Sequence, residues 1–410
     1  MIDRDSFAKS GHIPTLLAAF LYFDASFTVW VLLGPMGVQI GNSLHLDAAQ
    51  KGLMVATPVL SGALLRIVAG LSADRFGGKI TGIVAQLIVI AALVAAWQIG
   101  LPSFRAVQAL GIFLGVAGAS FAIALPLASR WYPPPYQGFA LGLAGAGNIG
   151  TVFTALVAPG LALAYGFQNV FGLAAIFLTV VLVGFVLLAK ESPARPAPLT
   201  LSTYFNVLRI ADTWWFMLFY GVTFGGFVGL ASSLVIYLHT QYGLTPVHAG
   251  YLTALASFVG ASCRPLGGGL ADKFGGVKTL SFYYIVAAIA LIIVSFGLPN
   301  LWLAMAAILV VMLACGLGDG AVFQLVPLRF TREMGVVTGL VGMAGGVGGF
   351  YLASSLGLAR QYTGSYQSGF LIYAALALIA FVGLSVVKRR WRADFSAAAN
   401  ADTQAAPIRI

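Results

Sequence analysis

Two arginines stand where an apolar chain should not carry charge. Arg66, in "LLRIVAGLSADRFGGK" (64 to 79), precedes the turn Asp74-Arg75 by eight residues, ~12 Å along a helix. Arg264 opens "RPLGGGLADKFGG", which repeats the same elements: an aspartate eight residues on, then a basic residue, Phe and Gly-Gly. The two arginines are 198 positions apart. A guanidinium stays protonated in proteins, and its planar fork matches a planar oxyanion in bidentate fashion. Two such groups facing each other repel unless an anion lies between them. The spacing therefore predicts an anion site built from both copies. The plainer alternative is that each arginine pairs with Asp24, Asp319 or backbone carbonyls and only holds helices together.

Asp24, in "LYFDASFTVW", and Asp319, in "CGLGDGAVFQLVP", are carboxylates inside apolar runs, and either could carry a coupled proton. Equally open is a neutral acid or an ion pair with Arg66 or Arg264. Two glycine-rich runs also recur, "GLAGAGNIG" (142 to 150) and "GLVGMAGGVGGF" (339 to 350). Gly145, Gly147 and Gly150, with Gly345, Gly346, Gly348 and Gly349, could bring backbone groups to a substrate and let helices slide. Close helix packing alone would use them too. Asn148 is the polar side chain within the first run. Asp74, Arg75, Asp272 and Lys273 belong to loops between spans, where helix-end contacts and salt bridges could gate one face.

Other chemistries find no residues here. The four histidines (His12, His45, His239, His248) form no spaced ligand set with Cys, Asp or Glu, so no metal is expected. There is no phosphate-cradling GxxxxGK[ST], and "GAGNIG" follows no strand, so neither direct ATP drive nor a dinucleotide cofactor is expected. No nucleophile and base pair suggests an enzyme. Cys263 and Cys315 fall in apolar runs and say nothing of redox compartment.

What positions these residues is set by composition. Of 410 residues 60% are hydrophobic and 8% charged, against about 25% charged in soluble domains. An apolar helix needs about 20 residues to cross the bilayer. Twelve such runs are legible, at about 14–36, 51–73, 80–100, 105–128, 138–162, 168–189, 213–238, 248–270, 279–298, 302–327, 336–360 and 367–388. The first has no small-residue cleavage site, so it should remain in the mature chain. The reading is an all-α membrane protein of two pseudo-symmetric six-helix halves, 1–190 and 211–390. The Pro-bearing segment 191–210 is the expected cytoplasmic linker and 391–410 a cytoplasmic tail. Outside the spans, 17 lysines and arginines fall on one side and three, Lys51, Arg105 and Arg360, on the other. By the positive-inside rule both termini are cytoplasmic. The net charge of +10 is thus mainly a topology signal. It does not point to nucleic acid, and the tail "KRRWR" suits lipid headgroups.

Taken together, these residues resemble a known family. "GLSADRFGGK" looks like the loop between the second and third helices of the major facilitator superfamily. "AGAGNIG" and "GGVGGF" look like the paired glycine-rich signatures of its nitrate/nitrite porters. The resemblance spans nearly the whole chain and implies transport of nitrate, nitrite or both across the bacterial inner membrane, by a monomer without cofactor. It further implies that Asn148 donates a hydrogen bond to the anion. By position it also assigns Phe121, Tyr220 and Phe224 to the pocket, although plain core packing would account for these aromatics. Asp319 departs from the family pattern, where Asn is more usual.

Energetics narrows the cycle. Bringing one negative charge inward against 100 mV costs ~2.3 kcal/mol, and each tenfold accumulation adds ~1.4 kcal/mol, so uniport uptake fails. Either protons accompany nitrate, or nitrite leaves as nitrate enters. The titratable Asp24 and Asp319 favour proton-coupled nitrate import by rocking of two halves about a midplane site. Nitrate/nitrite antiport, or carriage of another small anion such as formate or oxalate, is the alternative.

Overall fold

A computed structural model describes residues 7, 9–192, 201–330 and 334–401. Arg4, Arg195, Arg332 and Arg409 lie outside these residues, as do most of the linker's proline-rich stretch and the end of the tail. Every regular element among the described residues is helical.

The first span is Ile13–Trp30, extended by the short helix Gly37–Ser43, and the second is Ala48–Phe76. Gly78–Ile99 is the third, and the fourth is broken into Phe104–Gly118 and Phe121–Ser129. The fifth comprises Pro134–Gly145, a 3₁₀ turn Ala146–Ile149 and Gly150–Tyr165, and Phe167–Leu188 is the sixth. A linker helix, Leu201–Leu208, then leads to the second half: Ala211–Tyr242, Pro246–Phe274, Gly276–Ser295, Leu301–Arg329, Met334–Thr363 and Gln367–Ala401. Among the described residues, eleven segments are long and apolar enough to cross a membrane. The eighth span, Pro246–Phe274, has 29 residues and the length to do so. Arg264 and its run of small residues dilute its hydropathy.

Local signals place the ends. Asp47 caps the second span in a reciprocal box with Gln50, its carboxylate accepting from the Gln50 N–H at 2.8 Å. Thr245 caps the eighth span just before Pro246. The corners between helices need a left-handed residue, and they repeat with the sequence. Gly77 and Gly275 (φ 98° and 96°), Gly166 and Gly364 (81° and 70°), and His45 and Gly243 (52° and 65°) are each 198 residues apart. The duplication is thus written in backbone geometry as well as in motifs.

Large apolar side chains such as Val84, Leu87, Leu163, Ile176 and Ile289 stay exposed on the outer surface, as lipid contact demands. This is a multi-pass membrane protein. The halves meet where the second span packs on the eleventh and the seventh, the fifth on the eighth, and the short helix Gly37–Ser43 on the seventh. At the end remote from the linker helix the approach is tight. A Cβ on Gly52 would lie 2.8 Å from Gly357 Cα, and one on Gly250 would lie 2.5 Å from the Ala155 carbonyl. At the linker end, Tyr204 of the linker helix reaches between the second and eleventh spans, near Gly70 and Gly339. Burial, and then Asp74, push its phenol above the usual range.

Candidate functional site

Arg66 is 3% exposed and lies on the seam between the halves. Its Nε donates to the Gly118 carbonyl at 3.3 Å, and its Nη1 donates to the Gly342 carbonyl of the eleventh span. The break in the fourth span makes the first bond possible. The Ala122 N–H bonds to Ala119 rather than one residue further back, which leaves the Gly118 oxygen available. Nη2 is buried and has no hydrogen-bond partner. Three ring faces surround the guanidinium: Trp30 at 5.6 Å, Phe121 at 5.4 Å and Phe224 at 5.3 Å. Such contacts are worth up to ~2 kcal/mol each when desolvated, which offsets part of the cost of charge in the bilayer.

Arg264 approaches from the other half. Its Nη2 donates to the Tyr220 hydroxyl at 2.9 Å, and it lies 5.8 Å from the Tyr220 ring and 5.4 Å from Phe323. Tyr220 and Phe224, one turn apart on the seventh span, stack at 5.1 Å with 5° between their planes. The stacked pair is therefore flanked by a cation at each end. Neither forms an ion pair among the described residues, where the three that exist lie elsewhere. The arrangement presents N–H donors among apolar ring walls, which suits a small anion.

Of the residues singled out from the sequence, Arg66, Arg264, Phe121, Tyr220 and Phe224 meet in this cluster. Gly345 lies beneath the two rings, where a Cβ would come 2.7 Å from Tyr220 and 2.8 Å from Phe224. Gly346 faces Ala63 of the second span, its would-be Cβ at 2.6 Å. Gly345 thus serves packing of the eleventh span on the seventh and Gly346 its packing across the seam on the second, and the carbonyl that reaches Arg66 belongs to Gly342. On the fifth span, Gly147 abuts Phe23 and the Asp24 backbone, while a Cβ on Gly145 would meet nothing within 4 Å. Asn148 stands in the 3₁₀ turn, buried, its Oδ1 without a partner. No contact links its side chain directly to either guanidinium. Asp319 is 2% exposed and close enough to Arg264 and Tyr220 to act on both electrostatically. Asp24, half-buried, lies against Gly150. Each carboxylate has one oxygen, Oδ1, with no hydrogen bond.

The loop residues fall on the linker face. Asp74 pairs with Arg130 at 2.6 Å. Arg75 lies over Phe76 at 5.4 Å, and Lys273 over Phe274 at 5.2 Å. The ion pairs among the described residues stay within one half. In the second half the carboxylate is Asp212, buried, held by Arg329 at 2.5 Å and by Arg390. Sequence reasoning missed Trp30, Phe323, Arg130 and Asp212. Phe323 had a signal, one turn after Asp319, whereas Trp30 had none: it reaches Arg66 because Gly62 and Gly118 make room for its ring.

Residues 16–353 match the family model of the Major Facilitator Superfamily. The nitrite extrusion protein of Bacillus subtilis is 35% identical over 371 residues, covering 90% of this chain and 93% of that one. A probable nitrate/nitrite transporter, NarK2, of Mycobacterium tuberculosis is 33% identical, covering 90% and 95%. Among solved structures, a D-xylose–proton symporter shares the fold, with a TM-score of 0.72 at 13% identity over 91% of this chain and 97% of that one.

Proposed function

The chain belongs to the nitrate/nitrite porters of the Major Facilitator Superfamily, and on that premise we propose proton-coupled import of nitrate by alternating access. The observation that carries the anion site is the pair Arg66 and Arg264 around the Tyr220–Phe224 stack, with Nη2 of Arg66 buried and unpartnered. A planar oxyanion seated there accepts from both forks and relieves the repulsion between them, so occupancy favours approach of the halves. Phe121 walls the pocket, and Asn148 presents its amide from the 3₁₀ turn as the halves rock. Gly145 leaves the fifth span free to shift.

Asp24 and Asp319 are the proton carriers in this reading. Each belongs to a different half, and each keeps an oxygen free of hydrogen bonds. The linker face is the cytoplasmic one, since the excess of lysine and arginine gathers there. The membrane is the plasma membrane, and Asp74, Arg75, Asp272 and Lys273 shape that face's opening and closing. The name of the Bacillus relative, a nitrite extrusion protein, favours a second reading, exchange of nitrite for nitrate.

Proteoliposomes separate the two. Proton-coupled import predicts nitrate uptake under an imposed pH gradient with no anion inside. Stimulation solely by trapped nitrite would replace symport with exchange, and flux of neither anion would remove the reading altogether.

A further inference from the structure

On the face away from the linker helix, a cavity of about 110 Å³ opens between the second, seventh and eleventh spans. It is lined by Lys51 and Arg360 together with Ser233, Tyr237, Thr240 and Tyr366. The sequence puts three basic residues on that face, and two of them line this one space. Arg360 is fixed there: its Nη1 donates to the Gly364 carbonyl, and its guanidinium lies 5.7 Å from the Tyr366 ring. Lys51 lies half-buried against Gly41. Asp47, one turn away, is the nearest acid acting on it, but its carboxylate caps the helix by accepting from Gln50. Among the described residues neither cation forms an ion pair.

The cavity straddles the two halves. Ala48, Lys51, Gly52 and Val55 come from the first half and the remaining walls from the second, and the rim is tied by the Ala48 N–H donating to Gln361 Oε1 at 3.1 Å. Its floor is the tight approach of Gly52 to Gly357. From Gly52 one face of the second span runs through Val55, Val59 and Ala63 to Arg66, and Lys51 is ~22 Å from Arg66 along the helix. The space holds several waters or one small oxyanion, with two cations and the Thr240 and Tyr237 hydroxyls at hand.

We propose that this cavity is a second, outer site for a small inorganic oxyanion, nitrate or nitrite, captured there at the seam before or after it occupies the central pair. The inference rests on the transport reading above. Two cations against the one carboxylate of Asp47 leave net positive charge at a constricted mouth, which concentrates anions and raises their arrival rate. A single outer site on the moving seam acts on the apparent affinity from that face alone.

The test is sided kinetics of the full chain in phosphatidylcholine vesicles, with nitrate as the probe. Lys51→Gln and Arg360→Gln each raise KM from the outer face, ~3-fold or more, leave KM from the linker face unchanged, and lower the ratio of maximal rate to KM by one common factor in both directions. Lys51→Arg and Arg360→Lys retain the native KM. An unchanged KM, an equal rise on both faces, or loss of flux in the charge-preserving variants overturns the proposal. Were the same shift to require anionic lipid in the vesicle, the occupant would be a headgroup phosphate and the free-anion site would fall. A second readout does not depend on transport: nitrate slows labelling of Lys51 by a membrane-impermeant amine reagent, in the native chain and in Arg66→Ala. Protection without nitrate flux leaves the outer site standing and removes the transport reading. Flux without protection does the reverse.

Discussion

Arg66 of the second span donates a hydrogen bond to the backbone carbonyl of Gly342 in the eleventh, 276 residues away and in the opposite half. A permanent cation is therefore tied to the surface that must slide past it. Because its Nη2 stays unpartnered, an anion can be added without breaking that tie.

Lysine in place of either arginine keeps the charge and loses the fork. Arg66→Lys and Arg264→Lys are expected to weaken nitrate binding at least ~10-fold, or ~1.4 kcal/mol, as read by titration of the purified protein. Native affinity in both variants would mean that the planar geometry is unimportant.

Two glycines of the paired runs should behave oppositely. Gly345→Ala drives a methyl into the rings of Tyr220 and Phe224, and overpacking of this kind costs ~1–3 kcal/mol. A lower melting temperature and weaker anion binding are expected together, since the displaced rings are the pocket wall. Gly145→Ala meets open space and should stay within ~0.5 kcal/mol of the native stability. Any effect on flux there would reflect helix movement.

Trp30 holds its place through Nε1, which donates to the Pro58 carbonyl at 2.7 Å. Trp30→Phe removes that bond, while the Pro58 carbonyl keeps its place in the helix ladder, at ~0.5–1.5 kcal/mol. It also removes part of one ring face from Arg66. Thermal unfolding in detergent should register the first effect and nitrate affinity the second.

Asp212 anchors Arg329 and Arg390 at the linker face. Removing one partner of a buried pair costs ~3–5 kcal/mol, but these arginine side chains are 35% and 49% exposed, so water takes over much of their solvation. Asp212→Asn is therefore expected to cost ~1–2 kcal/mol, measured as a shift in unfolding midpoint. Arg390→Gln, which leaves Arg329 in place, should cost less.

Much of this architecture was legible in one dimension. Apolar runs of about 20 residues admit one solution in lipid, the helix, because no water is there to satisfy exposed backbone groups. The duplication of Arg66 in Arg264, and of Gly77 in Gly275, set out two like halves before any packing was known. Tyr220 and Phe224 shared a face because four residues make about one turn.

Other features depend on contacts between segments far apart in the chain, which no local pattern encodes. Trp30 joins Arg66 because Gly62 and Gly118 on neighbouring helices let its ring in, and Phe323 meets Arg264 from a different span. The Gly118 and Gly342 carbonyls became acceptors through a helix break and a close crossing. Arg130 finds Asp74, 56 residues away, and Arg329 finds Asp212, 117 residues away. Likewise Lys51 and Arg360 share one cavity across a seam that forms only when the two halves are docked: the chain dictates which helices form and which residues they carry, and docking selects the neighbours.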